Sequence, residues 1–290
     1  MQRTIQTFEQ LYAYARAFAD GKLNLLVVVG EPGLSKSQTV WRALEDANAT
    51  YRKFVGSVSA YMLYRELYWH RGELIVIDDV DDIWRERESR RILKALCQTD
   101  AIKEMEWSKA NTVGIAKRKK VKASDDEDYE DEDDGLEDDE HADDTVPNRY
   151  TTTSRTCIIA NDLGSFDANM RAIIDRGTLI RFKPTAAYIH AKAKEFFKDQ
   201  EILDYVEQWL PMVKSPSLRQ YVTALELKTA GLPWKEALQE TWDIPDEILA
   251  VHRLVHDKTL TDRERVQRYT AETGRSRADY FRQLQRVRSL

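Results

Sequence analysis

The chain has 290 residues, 42% of them hydrophobic, with 44 Lys and Arg against 50 Asp and Glu and a formal net charge of -6. That length is ample for a buried core, and two cysteines are too few for a disulfide framework. No apolar run approaches the roughly 20 residues of a membrane span, and Met1–Thr7 lacks a signal peptide's charged start and apolar middle, so a reducing, cytoplasmic setting is expected.

In chain order, four short apolar runs stand out: Leu25–Val29, Leu74–Ile77, Cys157–Ala160 and Leu179–Phe182. Tyr51–Val55 is a weaker fifth. Helix-period segments lie between them, at 7–20, 37–47, 59–70, 86–98 and 166–174. Continuous apolar strands interleaved with helices predict an α/β, doubly wound parallel sheet over residues 1–184. Residues 103–107 and 149–156 can pair as a hairpin, interrupted by a disordered insertion at about 117–148. Within it, residues 125–144 hold 15 acids and no Lys or Arg. The other 270 residues carry 44 bases against 35 acids, so the acidic sum conceals a basic body.

After Pro184 no strand-like run remains. Helices are expected at 186–198, 200–210, 217–230, 233–242 and 246–257, followed by basic helices at 262–272 and 276–288. These divide into an all-helical region, 185–245, and a small basic module, 246–290. His252 and His256 have a zinc-compatible spacing but no third ligand, so no metal is assigned to them.

The sharpest motif is Gly30-Glu31-Pro32-Gly33-Leu34-Ser35-Lys36-Ser37, followed by Gln38. It leaves the strand Leu25–Val29 and enters a helix, the order needed for backbone N–H groups to wrap phosphate oxygens at a helix N-terminus. Lys36 is then placed for the β- and γ-phosphates and the Ser37 hydroxyl for magnesium. Ser35 stands where the pattern has Gly. The competing reading is an ordinary Gly-Pro turn with an incidental lysine. Against it, Leu74–Ile77 ends in Asp78 and Asp79, and strand carboxyl ends face the ligand crevice of such sheets. Asp78 is the metal candidate, and Asp79 the group that orients or deprotonates an attacking water.

Together these segments resemble the AAA+ family of P-loop ATPases. The resemblance implies ATP and Mg2+ as cofactors and assembly into a ring or filament. By it, Asn161 after Cys157–Ala160 looks like the sensor-1 residue, Arg176 like an arginine finger serving a neighbouring subunit, with Arg171 as fallback, and Arg219 like sensor 2 on a helical lid, 185–245. The Ser35 variant of the loop, with a hairpin ahead of Asn161, is similar to minichromosome-maintenance helicases and MoxR-type ATPases. Asp79 departs from the Glu usual in the family, which implies slow turnover or a mainly binding role.

The C-terminal helices around Thr273-Gly274-Arg275-Ser276 resemble a helix-turn-helix module. Val266, Tyr269 and Thr270 are expected to face Tyr280, Phe281 and Leu284. Arg275, Arg277, Arg282, Arg286 and Arg288 would meet phosphates, with Arg277 and Tyr280 near base edges. A basic tail that docks on the lid or recruits a protein is the bland alternative. The sequence thus predicts an oligomeric AAA+ ATPase acting on DNA, in replication initiation, helicase loading or remodelling, with a possible protein partner such as a helicase. Its rivals are a MoxR-like protein-remodelling ATPase and a nucleotide-gated DNA binder with little hydrolysis.

Overall fold

Every second side chain of the apolar runs faces the opposite side of a sheet, and both sides are covered. The computed structural model describes residues 2–80, 83, 86–107, 146–162, 168–214 and 217–288. Its strands are β1 (Gln2–Ile5), β2 (Leu25–Val29), β3 (Tyr51–Val55), β4 (Leu74–Asp78), β5 (Lys103–Glu106), β6 (Arg149–Thr152), β7 (Thr156–Ala160) and β8 (Thr178–Phe182). Six of them form a parallel sheet in the order β1-β8-β2-β7-β4-β3, while β5 and β6 make a separate antiparallel hairpin.

Leu25, Val27, Val29, Ile75, Ile77 and Ile158 enter one buried cluster. Leu26, Val28, Leu74, Val76, Cys157 and Ile159 enter another on the opposite face. Alternation into two buried faces makes the runs continuously apolar in sequence. Helices α1 (Phe8–Ala19) and α2 (Lys36–Asp46) cover the second face, with Leu11, Phe18, Val40 and Leu44 fully buried. Helices α3 (Ala60–Trp69) and α4 (Arg87–Leu96), with the hairpin, cover the first. A short α5 (Ala168–Ile174) leads into β8.

The strands and helices expected from periodicity are present, with ends shifted by one or two residues. The edge strand β1 has no sequence signal, because only Ile5 of its four residues is buried and the backbone alone pairs it with β8. The expected insertion is already ordered at its far end. Val146 is buried, Tyr64 donates to the Pro147 carbonyl (2.9 Å) and Trp107 N–H donates to Asn148 (2.8 Å). The acidic tract at 125–144 lies outside the described residues.

Beyond β8 the chain is helical: α6 (Ala186–Phe196), α7 (Gln200–Trp209), α8 (Leu218–Thr229), α9 (Trp234–Thr241), α10 (Asp246–His256), α11 (Asp262–Thr273) and α12 (Arg277–Val287). One buried cluster runs from Ala193 through Trp209, Tyr221, Trp234 and Val251 to Tyr269, Tyr280 and Val287. The boundary expected at 245/246 therefore falls inside a common core, and the C-terminal helices pack as a continuation of the lid. Among the described residues no helix is long and apolar enough to cross a membrane.

Candidate functional site

From Val29 the chain must leave the sheet and start α2 within a few residues. Gly33 (φ 74°) and Ser35 (φ 50°) make this turn in left-handed backbone. A Cβ on Gly30 would lie 2.5 Å from the Phe182 carbonyl oxygen, and one on Gly33 would collide with the Ser217 hydroxyl. The loop glycines are thus required by close packing as well as by conformation. Ser35 departs from Gly at a position whose left-handed backbone costs an L-residue about 1–2 kcal/mol.

The loop delivers Lys36 and Ser37 to the first turn of α2, above the carboxyl ends of the strands. Because β7 lies between β2 and β4, Asn161 stands between the loop and Asp79. Lys36 Nζ donates to the carbonyl oxygens of Gly30 (2.7 Å) and Glu31 (2.8 Å) and to Asn161 Oδ1 (3.0 Å). Asn161 Nδ2 in turn donates to Asp79 Oδ1 (2.7 Å), and Ser37 Oγ donates to Asp78 Oδ1 (2.8 Å). Burial lowers the Lys36 ammonium below its ordinary range, against the pull of Asp79 and Asp78. Burial also raises the Asp78 carboxyl; the Ser37 hydrogen bond opposes that and the Asp79 charge reinforces it.

Asp79 itself has φ 57°. Asp and Asn occupy left-handed backbone more readily than longer side chains, because a short polar group can bond locally. The Asp79 side chain also accepts from Asn161, so Asp stands in left-handed backbone where the AAA+ resemblance leads one to expect Glu.

Arg219 reaches the same cleft from the helical region. The Leu218 N–H donates to the Gly33 carbonyl (3.0 Å) and so does Ser217 Oγ (3.4 Å), which seats the start of α8 on the phosphate loop. The resulting cleft of about 370 Å³ is lined by Gly33, Ser35, Lys36, Ser37, Gln38, Asp78, Asp79, Asn161 and Arg219. Pro32 and Leu34 complete the loop wall, whereas Glu31 contributes its backbone carbonyl to Lys36. Sequence reading missed Trp41 and Val55, which also line the cleft. Trp41 lies one helical turn after Ser37 on the same face, which is the signal that could have found it. Lys53 Nζ sits 3.9 Å from the centroid of its ring. A second groove of about 470 Å³ adjoins Ser35 and Thr39 and is walled by Phe8, Tyr12, Phe196 and Leu218.

Arg176 is not brought to this cleft. It precedes β8, at the opposite end of the sheet, and its guanidinium donates to the Lys94 carbonyl (3.1 Å). The exposed Arg171 lies on α5.

The C-terminal expectations are partly overturned. Tyr280 is 2% exposed and packs on Tyr269 with ring centroids 5.4 Å apart, so it is a core residue and meets no base edge. Phe281, expected in the core, is 43% exposed. Arg275 is paired with Glu247 (2.7 Å) and Arg282 with Asp279 (3.3 Å). Arg277 lies 5.6 Å above the Phe281 ring, and Arg286 donates to Gln283 Oε1 (3.2 Å). His252 and His256 stack with centroids 4.3 Å apart beside Trp209, a packing role.

No protein-family model and no curated protein matches the sequence. Among solved structures, the chain is similar to a DNA replication initiation factor at 12% identity and TM-score 0.41, covering 94% of this chain and 81% of that one. It is also similar to the RuvB Holliday junction branch migration motor of Thermotoga maritima, at 10% identity and TM-score 0.47, covering 93% and 82%. The chemistry of this chain rests on the cleft itself. A phosphate-loop turn, a Ser–Asp pair and an Asn–Asp pair over six parallel strands, with a helical region behind, give the chain a P-loop α/β core of the architecture that the AAA+ resemblance implied.

Proposed function

We propose that the chain is an AAA+-type ATPase that binds Mg-ATP in this cleft and acts on DNA. The observation that carries the first half is the convergence of Lys36, Ser37, Asp78, Asp79 and Asn161 within hydrogen-bonding distance above the sheet. The hydroxyl of Ser37 and the carboxylate of Asp78 are hard oxygen donors, which suits magnesium held by one carboxylate together with substrate phosphates. When bound, the ion neutralises charge that develops on the phosphates. Lys36 exchanges carbonyl partners for phosphate oxygens, and the loop N–H groups hold the remainder. Asp79, oriented by Asn161, aligns the attacking water. The adjoining apolar groove at Phe8, Tyr12 and Leu218 suits the flat face of a base.

Arg176 stands away from its own cleft and would serve the site of a neighbouring copy, so turnover would require a ring or filament. Arg219 would report the nucleotide state to the lid through α8. In Arg176→Ala, nucleotide binding should persist while turnover falls at least about 10³-fold. Undiminished turnover that is independent of protein concentration would overturn the shared-site assignment.

The DNA half rests on charge. Apart from the acidic tract the chain has nine more bases than acids, and α11–α12 carry arginines on their outer surface. Removing residues after 258 would strip Tyr269, Tyr280, Leu284 and Val287 from the common core, so point variants are the sound test. Duplex and single-stranded DNA affinity should fall steeply with salt, and Arg286→Ala should reduce the slope of log affinity against log salt by about 1. Affinity without salt dependence would favour a protein-remodelling role. The shorter Asp79 side chain, where the family usually has Glu, motivates a further reading, nucleotide-gated DNA binding with little hydrolysis. Measuring ATPase rates with and without DNA decides between turnover and gating.

A further inference from the structure

At the edge of the cleft beyond Asp78 stand three side chains that the proposed chemistry leaves unused. Trp41 follows Ser37 by one turn of α2, and Val55 ends β3 in register with Asp78; both line the cleft. Side chains two apart on a strand share a face, so Lys53 lies on the same side of β3 as Val55. Its ammonium rests 3.9 Å from the centroid of the Trp41 ring. Among the described residues no hydrogen bond or ion pair engages it, and its charge is felt at the Asp78 carboxyl. Val55 is 57% exposed, so this edge is open and the lysine stem has room to swing.

We propose that Lys53 binds the terminal phosphate of a nucleoside triphosphate and makes the cleft distinguish triphosphate from diphosphate. The inference rests on the nucleotide-binding reading above and adds to it a residue that determines specificity. The direction of the cleft carries it. The groove that suits a base is walled by Phe8 and Tyr12 of α1, and Phe8 packs on Phe182 of β8 with ring centroids 5.2 Å apart. In the sheet β8 lies on one side of β2, while β7, β4 and β3 follow on the other. A nucleotide with its base in that groove and its phosphates on the loop after β2 therefore points its last phosphate toward Asp78, Asp79 and β3. Lys53 stands at that far end, where it meets the phosphate that a diphosphate lacks.

Reach and charge agree with this placement. Lys53 is two strand positions, about 7 Å, below the level of Asp78, and the flexible stem of a lysine is of comparable length. Lys36 and Arg219 face the carboxylates of Asp78 and Asp79, and the Glu31 carboxylate also acts on Lys36. The cations of the cleft are thus offset before any phosphate enters, and a third phosphate calls for another, a need that one magnesium ion meets only in part. A contact between an exposed ammonium and a ring is weak, so a charge-assisted hydrogen bond to phosphate outweighs it. Lys53 and Lys36 belong to the same chain, so this contact, unlike the one proposed for Arg176, needs no neighbouring copy.

The test compares the affinities of the full-length protein for ADP and for a non-hydrolysable ATP analogue, both with magnesium, by calorimetry. The wild type should prefer the triphosphate, and the preference should survive dilution of the protein. Lys53→Gln should cut it about 5–50-fold, down to a floor of no preference, while ADP affinity stays within about 2-fold. Lys53→Arg, which keeps the charge, should retain most of it. Because Lys53 is exposed, both variants should melt near the wild-type temperature. Tryptophan emission gives a second readout: the analogue should change it and ADP should not, and the change should vanish in Trp41→Phe and in Lys53→Gln. A wild type without preference, a preference that dilution abolishes or Lys53→Gln leaves intact, or equal loss of both affinities in that variant overturns this inference and leaves the nucleotide-binding reading standing. An emission change that ADP matches or that persists in Lys53→Gln does the same. Absence of binding to either nucleotide overturns the nucleotide-binding reading as well.

Discussion

The cleft and the C-terminal helices place their charged groups in opposite ways. In the cleft, Lys36 and Asp78 are buried, Lys36 bonds Asn161 and Asn161 bonds Asp79, and Ser37 bonds Asp78, all within 3.0 Å. On α11 and α12 most arginines lie outside a core of aromatic and aliphatic side chains, and the solvent-exposed guanidinium groups of Arg275 and Arg282 pair with Glu247 and Asp279 in ion pairs of little energetic weight. A constellation linked by short hydrogen bonds fixes one geometry and suits chemistry. A solvated one stays adaptable and suits a large polyanion.

The contrast can be broken most directly at Lys36. Lys36→Ala should lower nucleotide affinity at least about 100-fold, measured by calorimetry or a fluorescent analogue, because the phosphate oxygens lose the ammonium donor that the loop places for them. Unchanged affinity would place the nucleotide elsewhere. The second test compares neighbours on α12. Tyr280→Ala should destabilise by about 3–5 kcal/mol in denaturant unfolding, whereas Phe281→Ala should stay within about 1 kcal/mol. Equal costs would remove the inside–outside division on which the surface argument depends.

A third, smaller effect follows from His252, half-buried against Trp209 and accepting from Gln208 Nε2 (2.5 Å). Burial, reinforced by the charge of His256, pushes its pKa down to about 4. The unfolded chain, with an ordinary value near 6.5, then binds the extra proton throughout the interval between the two. Stability should therefore fall as pH drops from about 6.5 to 4, by on the order of 1–3 kcal/mol, and His252→Leu should flatten that slope. Smallest of all is Ser35→Gly. Relief of left-handed strain and the greater freedom of glycine in the unfolded chain nearly cancel, so unfolding should shift by less than about 1 kcal/mol.

Legibility followed the same division. The Gly30–Ser37 loop, Asp78 and the strands β2, β4, β7 and β8 were readable because each is dictated locally: an apolar run, a turn that needs small residues, a helix start. Asn161 and Arg219 were readable only through resemblance, since nothing in a lone Asn or Arg says which loop it will face. Trp41 had a signal, its helical spacing from Ser37, that the motif overshadowed. Tyr280 and Phe281 are adjacent aromatics on one helix, and only packing against Tyr269 decides which turns inward. The hydrogen-bonding role of Lys103 had no signal at all. It is fully buried, donating to Asn24 Oδ1 (2.8 Å) and to the Ser154 carbonyl, and holds the base of the hairpin to the sheet.

The hydrogen bond from Leu218 N–H to the Gly33 carbonyl has a mechanical consequence. It joins the loop after β2 to the first turn of α8, and α8 shares its buried side chains with helices as far as Val287. The helical region is therefore a lever with its short arm on the loop. A displacement at Gly33 would be passed to the core that runs from Tyr221 to Val287. On the proposed function, this one backbone hydrogen bond would tie nucleotide binding at the loop to the helices that carry the exposed arginines.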